Sequence, residues 1–204
     1  MYSKKTSLLI GFHGCDKRTR DEVLNGGSLN PSLNSYDWLG NGIYFWESDP
    51  QRALEWAQQA AKRESSSVEE PAVLGAVIDL GNCLDLMNRQ SIPILRYGYE
   101  WLKKSYEKSG DSLPVNRNVK NNEDYLYRDL DCAVIEKIHE TIRQNPDLGL
   151  MPYDSVRGLF LEGKNVYEGA CFKEKTHLQL CIVNPNCIKG YFYPRTLDKK
   201  YPIP

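Results

Sequence analysis

Apolar positions in this chain alternate near its two ends and recur at helical spacing in between. Leu8, Ile10 and Phe12 fall on one face of an extended segment and Leu9, Gly11 and His13 on the other, which predicts a strand ending in a histidine turned from its bulkier apolar side. A short helix follows around 18–25, stopped by Gly26 and Gly27, and a loop around Pro31 leads to a brief strand through Ile43, Tyr44 and Phe45. Asp49 reads as a helix N-cap with Pro50 at the first helical position, opening a helix to about Arg63 with Ala53, Trp56, Ala57 and Ala60 on one side. Segment 64–71 is polar, and the nearly unbroken apolar run 72–80 suits a strand inside a sheet. Helices are expected over 91–108 and, from the recurrence of Leu126, Leu130, Val134, Ile138 and Ile142, over 124–143. A loop over 109–122 separates them, and His139 is expected at the surface or boundary of the second. Strands at 155–161 and 178–183 flank a long loop, 162–175; the later strand places His177, Gln179 and Cys181 on one face and Leu178, Leu180 and Ile182 on the other. Together these elements predict an α+β domain of short strands with inserted helices.

Composition narrows the class. With 204 residues, 41% hydrophobic and 26% charged, the chain has the makeup of one enlarged globular domain, which excludes a disordered tail, a collagen-like fibre and a coiled coil. No apolar run approaches the roughly 20 residues of a membrane span, and Leu8-Leu9-Ile10 is too short for a secretion signal. Cys15, Cys83, Cys132, Cys171, Cys181 and Cys187 form no dense framework, so free thiols in a reducing cytoplasm are expected. The net charge of −1 conceals segregation: residues 89–120 hold seven Lys/Arg against three Asp/Glu, and 171–204 hold six against two, whereas 121–170 hold five against ten. Aromatics crowd the same basic segments, among them Tyr97 and Trp101 beside Lys103 and Lys104, and Phe172 and Tyr191 later. Basic residues interleaved with aromatics suit a polyanion with exposed bases; the plainer alternative is a set of solvated helix faces over core aromatics.

Several chemistries are excluded by spacing. His177 among Cys171, Cys181 and Cys187 lacks the closely paired ligands of a zinc site, and no metal is expected. Cys15 and His13 stand two apart with no third orienting group, a poor nucleophile and base. Gly40, Asn41 and Gly42 are followed neither by a Lys-Ser/Thr pair nor by a third spaced glycine, so no P-loop or dinucleotide fingerprint is present.

What remains is the strand-terminal His13-Gly14 pair, the segment Gly40 to Phe45 leading into a capped helix, and a late strand with polar residues on one face. This combination resembles the ADP-ribosyltransferases, specifically the diphtheria-toxin-like and poly(ADP-ribose)-polymerase-like branch with its His-Tyr-Glu triad. The resemblance covers most of the chain, is strongest over residues 8–57 and weakest over 87–150, which reads as a helical insertion within a single domain spanning 1–204. It implies a split of two small packed β-sheets, and NAD+ as co-substrate. His13 would then bond the adenosine-side ribose, Gly14 would clamp the nicotinamide amide, Tyr44 would stack on the nicotinamide ring, and Trp56 would supply a second aromatic wall, one residue out of step with the family spacing. A flat cationic ring is well held by aromatic faces, and glycine allows close backbone approach. Core packing is the alternative for Tyr44, Trp56 and His13.

The third triad position departs from the family. Gln179 stands where a Glu is expected, able to hydrogen-bond a ribose hydroxyl but without the charge that favours an oxocarbenium-like transition state. Either Glu174, Glu47 or Glu162 supplies the carboxylate, or transfer is slow and limited to a single ADP-ribose. His177 is assigned to the acceptor substrate, Arg157 to the NAD+ pyrophosphate or to an ion pair, and Lys103 and Lys104 to a nucleic acid acceptor. The resemblance implies a toxin-like mono-ADP-ribosyltransferase acting in the cytoplasm, with RNA before DNA as acceptor, a protein acceptor as competitor, and an antitoxin or inhibitor protein as partner. An NAD glycohydrolase and a non-catalytic NAD or ADP-ribose reader are the other readings.

Overall fold

The computed structural model describes residues 8–118 and 124–201. The first seven residues, and 119–122 of the expected loop, lie outside the described residues. In chain order the elements are β1 (Leu9–Asp16), α1 (Lys17–Leu24), β2 (Ile43–Glu47), α2 (Pro50–Ala60), β3 (Pro71–Ile78), β4 (Cys83–Asp85), α3 (Ile92–Ser109), β5 (Asn116–Arg117), β6 (Tyr127–Arg128), α4 (Asp129–Gln144), β7 (Ser155–Phe160), β8 (His177–Ile182) and β9 (Ile188–Phe192). Seven strands form one sheet in the order β4-β7-β8-β2-β1-β3-β9, and β5 pairs with β6 in a small ribbon. The α+β class is as expected, and a large sheet and a small sheet are present. Among the described residues no helix is long and apolar enough to cross a membrane.

The large sheet is almost cut in two at its middle. β1 pairs with β3 from Leu9↔Ile78 to Asp16↔Pro71, yet with β2 only at Gly11↔Glu47 and Phe12↔Trp46. Past Phe12 the two strands part, β1 staying with β3 while β2 continues along β8 from Trp46↔Gln179 to Ile43↔Ile182. A three-stranded half, β1-β3-β9, thus meets a four-stranded half, β4-β7-β8-β2, through a joint two residue pairs wide.

Strand alternation distributes the side chains to two cores. Ile43, Phe45, Leu74, Ile78, Leu180 and Ile182 lie on one face, where Val23 of α1 joins them. On the other face Leu84, Val156 and Cys181 pack with Leu102 of α3 and Ile135 and Ile138 of α4. The predicted division of β8 holds: Leu180 and Ile182 enter the first core and Cys181 the second. His13 shares its face with the first core, its ring tilted against Phe45 at 5.7 Å, so it turns toward the larger core even though it turns away from the bulky side of its own strand. Sequence alternation sorts the residues of one strand but is blind to what lies across from them.

Two helix ends differ from expectation. α2 opens as predicted, with the Asp49 carboxylate accepting from the Arg52 N–H at 2.8 Å and Pro50 in the first turn, but stops at Ala60, short of Arg63. α4 begins at Asp129 and not at 124, because Tyr127 and Arg128 pair with Arg117 and Asn116. The start of α4 is capped from outside: Asn116 Oδ1 accepts from the Leu130 and Asp131 N–H groups. Asp124 is occupied elsewhere, accepting from the Gly163 N–H and Lys173 Nζ.

His139 is buried, 3% exposed, edge-on to Tyr153 and with Nε2 unpartnered. It follows Ile138 on the helix and is carried into the α3–α4 core by the breadth of that face. Burial lowers its pKa, outweighing the raising effect of Glu136. The folded chain therefore keeps this ring neutral, whereas the unfolded chain protonates it near the ordinary value of about 6.5. Stability is complete above that pH and falls as the pH drops toward the depressed folded value. Between pH 7.5 and 5.5 the melting temperature of His139→Leu should decline less than that of the wild type; parallel declines would show that this ring does not contribute. Burial lowers His13 and His177 in the same direction, so part of the acid sensitivity should persist.

Candidate active site at the split in the sheet

Where β1 leaves β2, the backbone carbonyl of Tyr44 faces a gap. His13 closes it: its Nδ1 lies 2.7 Å from that carbonyl. A carbonyl only accepts, so the proton sits on Nδ1, and burial holds the ring neutral by lowering its pKa against the opposing effect of the Tyr44 bond. Nε2 is thereby left as an acceptor, the role a sugar hydroxyl requires. Gly14, next along, lies under α2. A Cβ there would stand 2.1 Å from the Ala53 carbonyl oxygen and 3.3 Å from Trp56, so the residue must be glycine for α2 to sit on β1, whatever else it binds.

The Tyr44 side chain projects to the opposite face and packs beside the second core. Its hydroxyl donates to the Gly40 carbonyl at 2.8 Å and accepts from the Leu39 N–H at 3.1 Å. Gly40 adopts φ +82°, a left-handed conformation that turns its carbonyl to this hydroxyl, and burial pushes the phenol pKa well up. Tyr44 is thus a neutral ring clamped at its tip. On the adjoining strand Gln179 faces the same way as Tyr44 and Trp46, directly opposite Trp46 in register. Its Oε1 accepts from the Trp38 indole N–H, leaving the amide NH2 as its remaining hydrogen-bonding group. Trp38 lies edge-on to Phe160, and Phe160 stacks on His177 at 5.5 Å. Trp46 meets both Trp56, at 5.9 Å, and His177, at 6.2 Å. Gln179 therefore sits in a surround of aromatic rings with Gly14 and α2 along one side.

The proposed site residues do not all come together there. Gly14, Tyr44, Trp56, His177 and Gln179 lie on or against the face that carries Trp46, whereas the His13 ring lies on the face of the first core and reaches Tyr44 through its backbone carbonyl. Arg157 stands apart from both: it is buried, 6% exposed, on the first-core face, gripping Glu47 through two bonds of 2.5 and 2.9 Å and Asp85 at 3.3 Å. Its guanidinium joins β2, β4 and β7 and is not free for a pyrophosphate. The same pairing removes Glu47 as a spare carboxylate. Glu162 is likewise engaged, at 2.6 Å from Arg52, while Glu174 is exposed. His177 is buried, 5% exposed, its Nδ1 bonded to the Lys175 carbonyl and its pKa lowered by burial. Lys103 and Lys104 lie exposed on α3, Lys103 near Glu107 at 3.8 Å. Among the described residues, no group of three His, Cys, Asp or Glu side chains is placed to hold a metal ion, and all six cysteines are free thiols.

Three further residues shape the site: Trp38, Trp46 and Arg52. The period of two along β2 carried the signal for Trp46, since it stands two from Tyr44. Nothing local marks Trp38, which reaches Gln179 across 141 positions, or Arg52, a charged residue 6% exposed in the first turn of α2.

Comparison with known proteins finds a similar chain in Methanocaldococcus jannaschii, the uncharacterized protein MJ0359, 24% identical over 208 residues that cover 92% of this chain and 89% of that one. No family model matches this chain, and no solved structure does.

Arg157 separates a structural from a binding role. Arg157→Met leaves the largely covered Glu47 and Asp85 carboxylates without their shared cation, which should cost about 3–5 kcal/mol in urea unfolding. A variant of unchanged stability would contradict the pinning role.

Proposed function

We propose that the split is an NAD+ site and that the protein is a mono-ADP-ribosyltransferase acting in the cytoplasm. The observation that carries this reading is the pairing of His13 with the Tyr44 carbonyl where β1 and β2 part, with Gly14 next along β1 and the Tyr44 ring and Gln179 on the opposite face of the sheet. In this reading Tyr44 and Trp56 hold the nicotinamide, a cationic ring suited to aromatic faces. His13 Nε2 accepts from a ribose hydroxyl, and Gln179 bonds the nicotinamide-side ribose through its amide NH2. Because Gln179 is neutral, it stabilises developing positive charge only weakly, and transfer stops at one ADP-ribose. A macromolecular acceptor, RNA before DNA or protein, is favoured by the exposed face of α3, where Tyr97 and Trp101 stack beside Lys103 and Lys104.

A second reading follows from the Trp38 bond to Gln179. With its carbonyl oxygen already taken, Gln179 can hold a sugar without promoting departure of nicotinamide, which describes a reader of NAD+ or ADP-ribose.

The test is incubation of the full chain with adenylate-labelled NAD+ and cell extract, followed by separate ribonuclease, deoxyribonuclease and protease digestion. Label released by ribonuclease alone is expected. Free ADP-ribose alone indicates a glycohydrolase, and binding without turnover indicates a reader. His13→Ala should lower turnover by roughly ten- to a hundredfold, the loss of one hydrogen bond that tightens as charge develops. Tyr44→Phe keeps the ring and should retain most turnover, while Tyr44→Ala should not. Equal loss in both tyrosine variants would place the role in the hydroxyl and its clamp, against stacking.

A further inference from the structure

Trp38 comes to the site from a loop, yet its indole is held by three neighbours besides Gln179. Gly158 on β7 stands directly opposite Gln179 on β8. A Cβ there would lie 2.5 Å from Cη2 and 3.0 Å from Cζ3 of Trp38, so the benzo edge of the indole occupies the space that a side chain would fill. Phe160, two residues further along β7, meets the indole edge-on at 5.2 Å. The Arg128 guanidinium carbon lies 5.3 Å from the Trp38 ring centre and 4.5 Å from that of Phe160, so one cation covers both rings. Arg128 is itself held, its Nε donating to the Tyr125 carbonyl at 2.9 Å and its Nη1 lying 3.5 Å from Asp131. β7 and the β5–β6 ribbon thus fix the indole together.

The polar atom of that indole is a donor and nothing else. Its N–H meets Gln179, so the amide atom facing it is the carbonyl oxygen. A glutamine amide otherwise turns over easily about its last torsion, exchanging oxygen for NH2. Here the donor settles the choice, and the NH2 group is directed away from Trp38. We infer that Trp38 is a positioning residue that makes Gln179 a hydrogen-bond donor toward the bound molecule. The ligand atom meeting Gln179 is then an oxygen with a free lone pair, such as a hydroxyl used as acceptor, and not an N–H group. A glutamate here would accept from the same indole and still present an acceptor to the ligand, the opposite polarity. Which molecule Gln179 meets is taken from the proposed NAD+ site; the direction of its amide is not. Arg128 gives the segment between α3 and α4 a part in setting that direction.

NMR of the full chain without ligand reads the contact. In Gln179→Glu the Trp38 indole N–H signal should move with pH as the new carboxylate titrates, a step absent from the wild type; no such step overturns the proposal. On saturation with NAD+, the Gln179 NH2 signals of the wild type should shift while the Trp38 signal stays in place. A Trp38 signal that moves to its position in Gln179→Ala would mean that the amide turns over, and would overturn the fixed polarity. Trp38→Phe keeps a ring over Gly158 and deletes the donor. It should weaken NAD+ binding about two- to tenfold, and should change nothing further in a Gln179→Ala background. Equal losses in the two backgrounds would assign Trp38 to packing alone, against the proposal. The pH step needs no substitution of Trp38, so it decides should Trp38→Phe fail to fold. It also decides if the wild type binds no NAD+, an outcome that counts against the NAD+ reading and leaves the Trp38 contact to be judged by itself.

Discussion

The structure depends on the obligation of buried backbone carbonyls to find a donor. A strand inside a sheet normally meets it through two neighbours, but β2 loses one neighbour when β1 turns away after Phe12. The Tyr44 carbonyl is left on the open side, and a side chain takes over the work of a ladder bond. His13 does so at 2.7 Å, and this single contact sets its tautomer, ties the two halves of the sheet together past their joint, and holds the Tyr44 backbone in place. Gly14 follows immediately, so the bond that spans the split and the close seat of α2 are consecutive features of one strand. A sheet that remained paired along its full length would have no such gap for a side chain to close.

Much of this was legible in the chain. Period-two alternation placed Gln179 and His177 together, and the Asp49-Pro50 pair announced α2. The candidate cluster was legible because His13-Gly14 and Gly40 to Phe45 carry their constraint locally, in a strand end and in a turn that needs a left-handed glycine. The remainder depends on pairs far apart in sequence. Arg157 could be read as a pyrophosphate ligand because its partners, Glu47 and Asp85, lie 110 and 72 positions away. The start of α4 was misplaced for a related reason: Asp124 has the chemistry of a cap, but Asn116, from the opposite side of a two-residue ribbon, does the capping. His139 looked peripheral because it is polar, and polarity alone does not reveal how wide the buried face of α4 is.

Charge is arranged differently on the two sides of the sheet. On the face of the first core a guanidinium is fully matched by two carboxylates. On the face that carries Gln179, Arg52 pairs with Glu162, and its Nε and Nη1 have no hydrogen-bond partner among the described residues. The first arrangement is closed and holds strands together; the second has unused hydrogen-bonding capacity in a setting of low polarity, where a complementary group gains most. Exposure does not separate the two arginines, since both are equally buried; their partners do.

The Arg157 bridge also bears on how the molecule opens. β4 is three residues long, lies at the sheet edge, and pairs in parallel with β7 alone. A strand of that length would ordinarily fray on its own, exchanging its amide hydrogens with solvent through small local excursions. Here Asp85 is fastened through Arg157 to Glu47, three strands further in, so detaching β4 uncovers a charge pair that also secures β2. The edge of the sheet is thereby made to share the fate of its middle, and its slowest protons become reporters of unfolding as a whole.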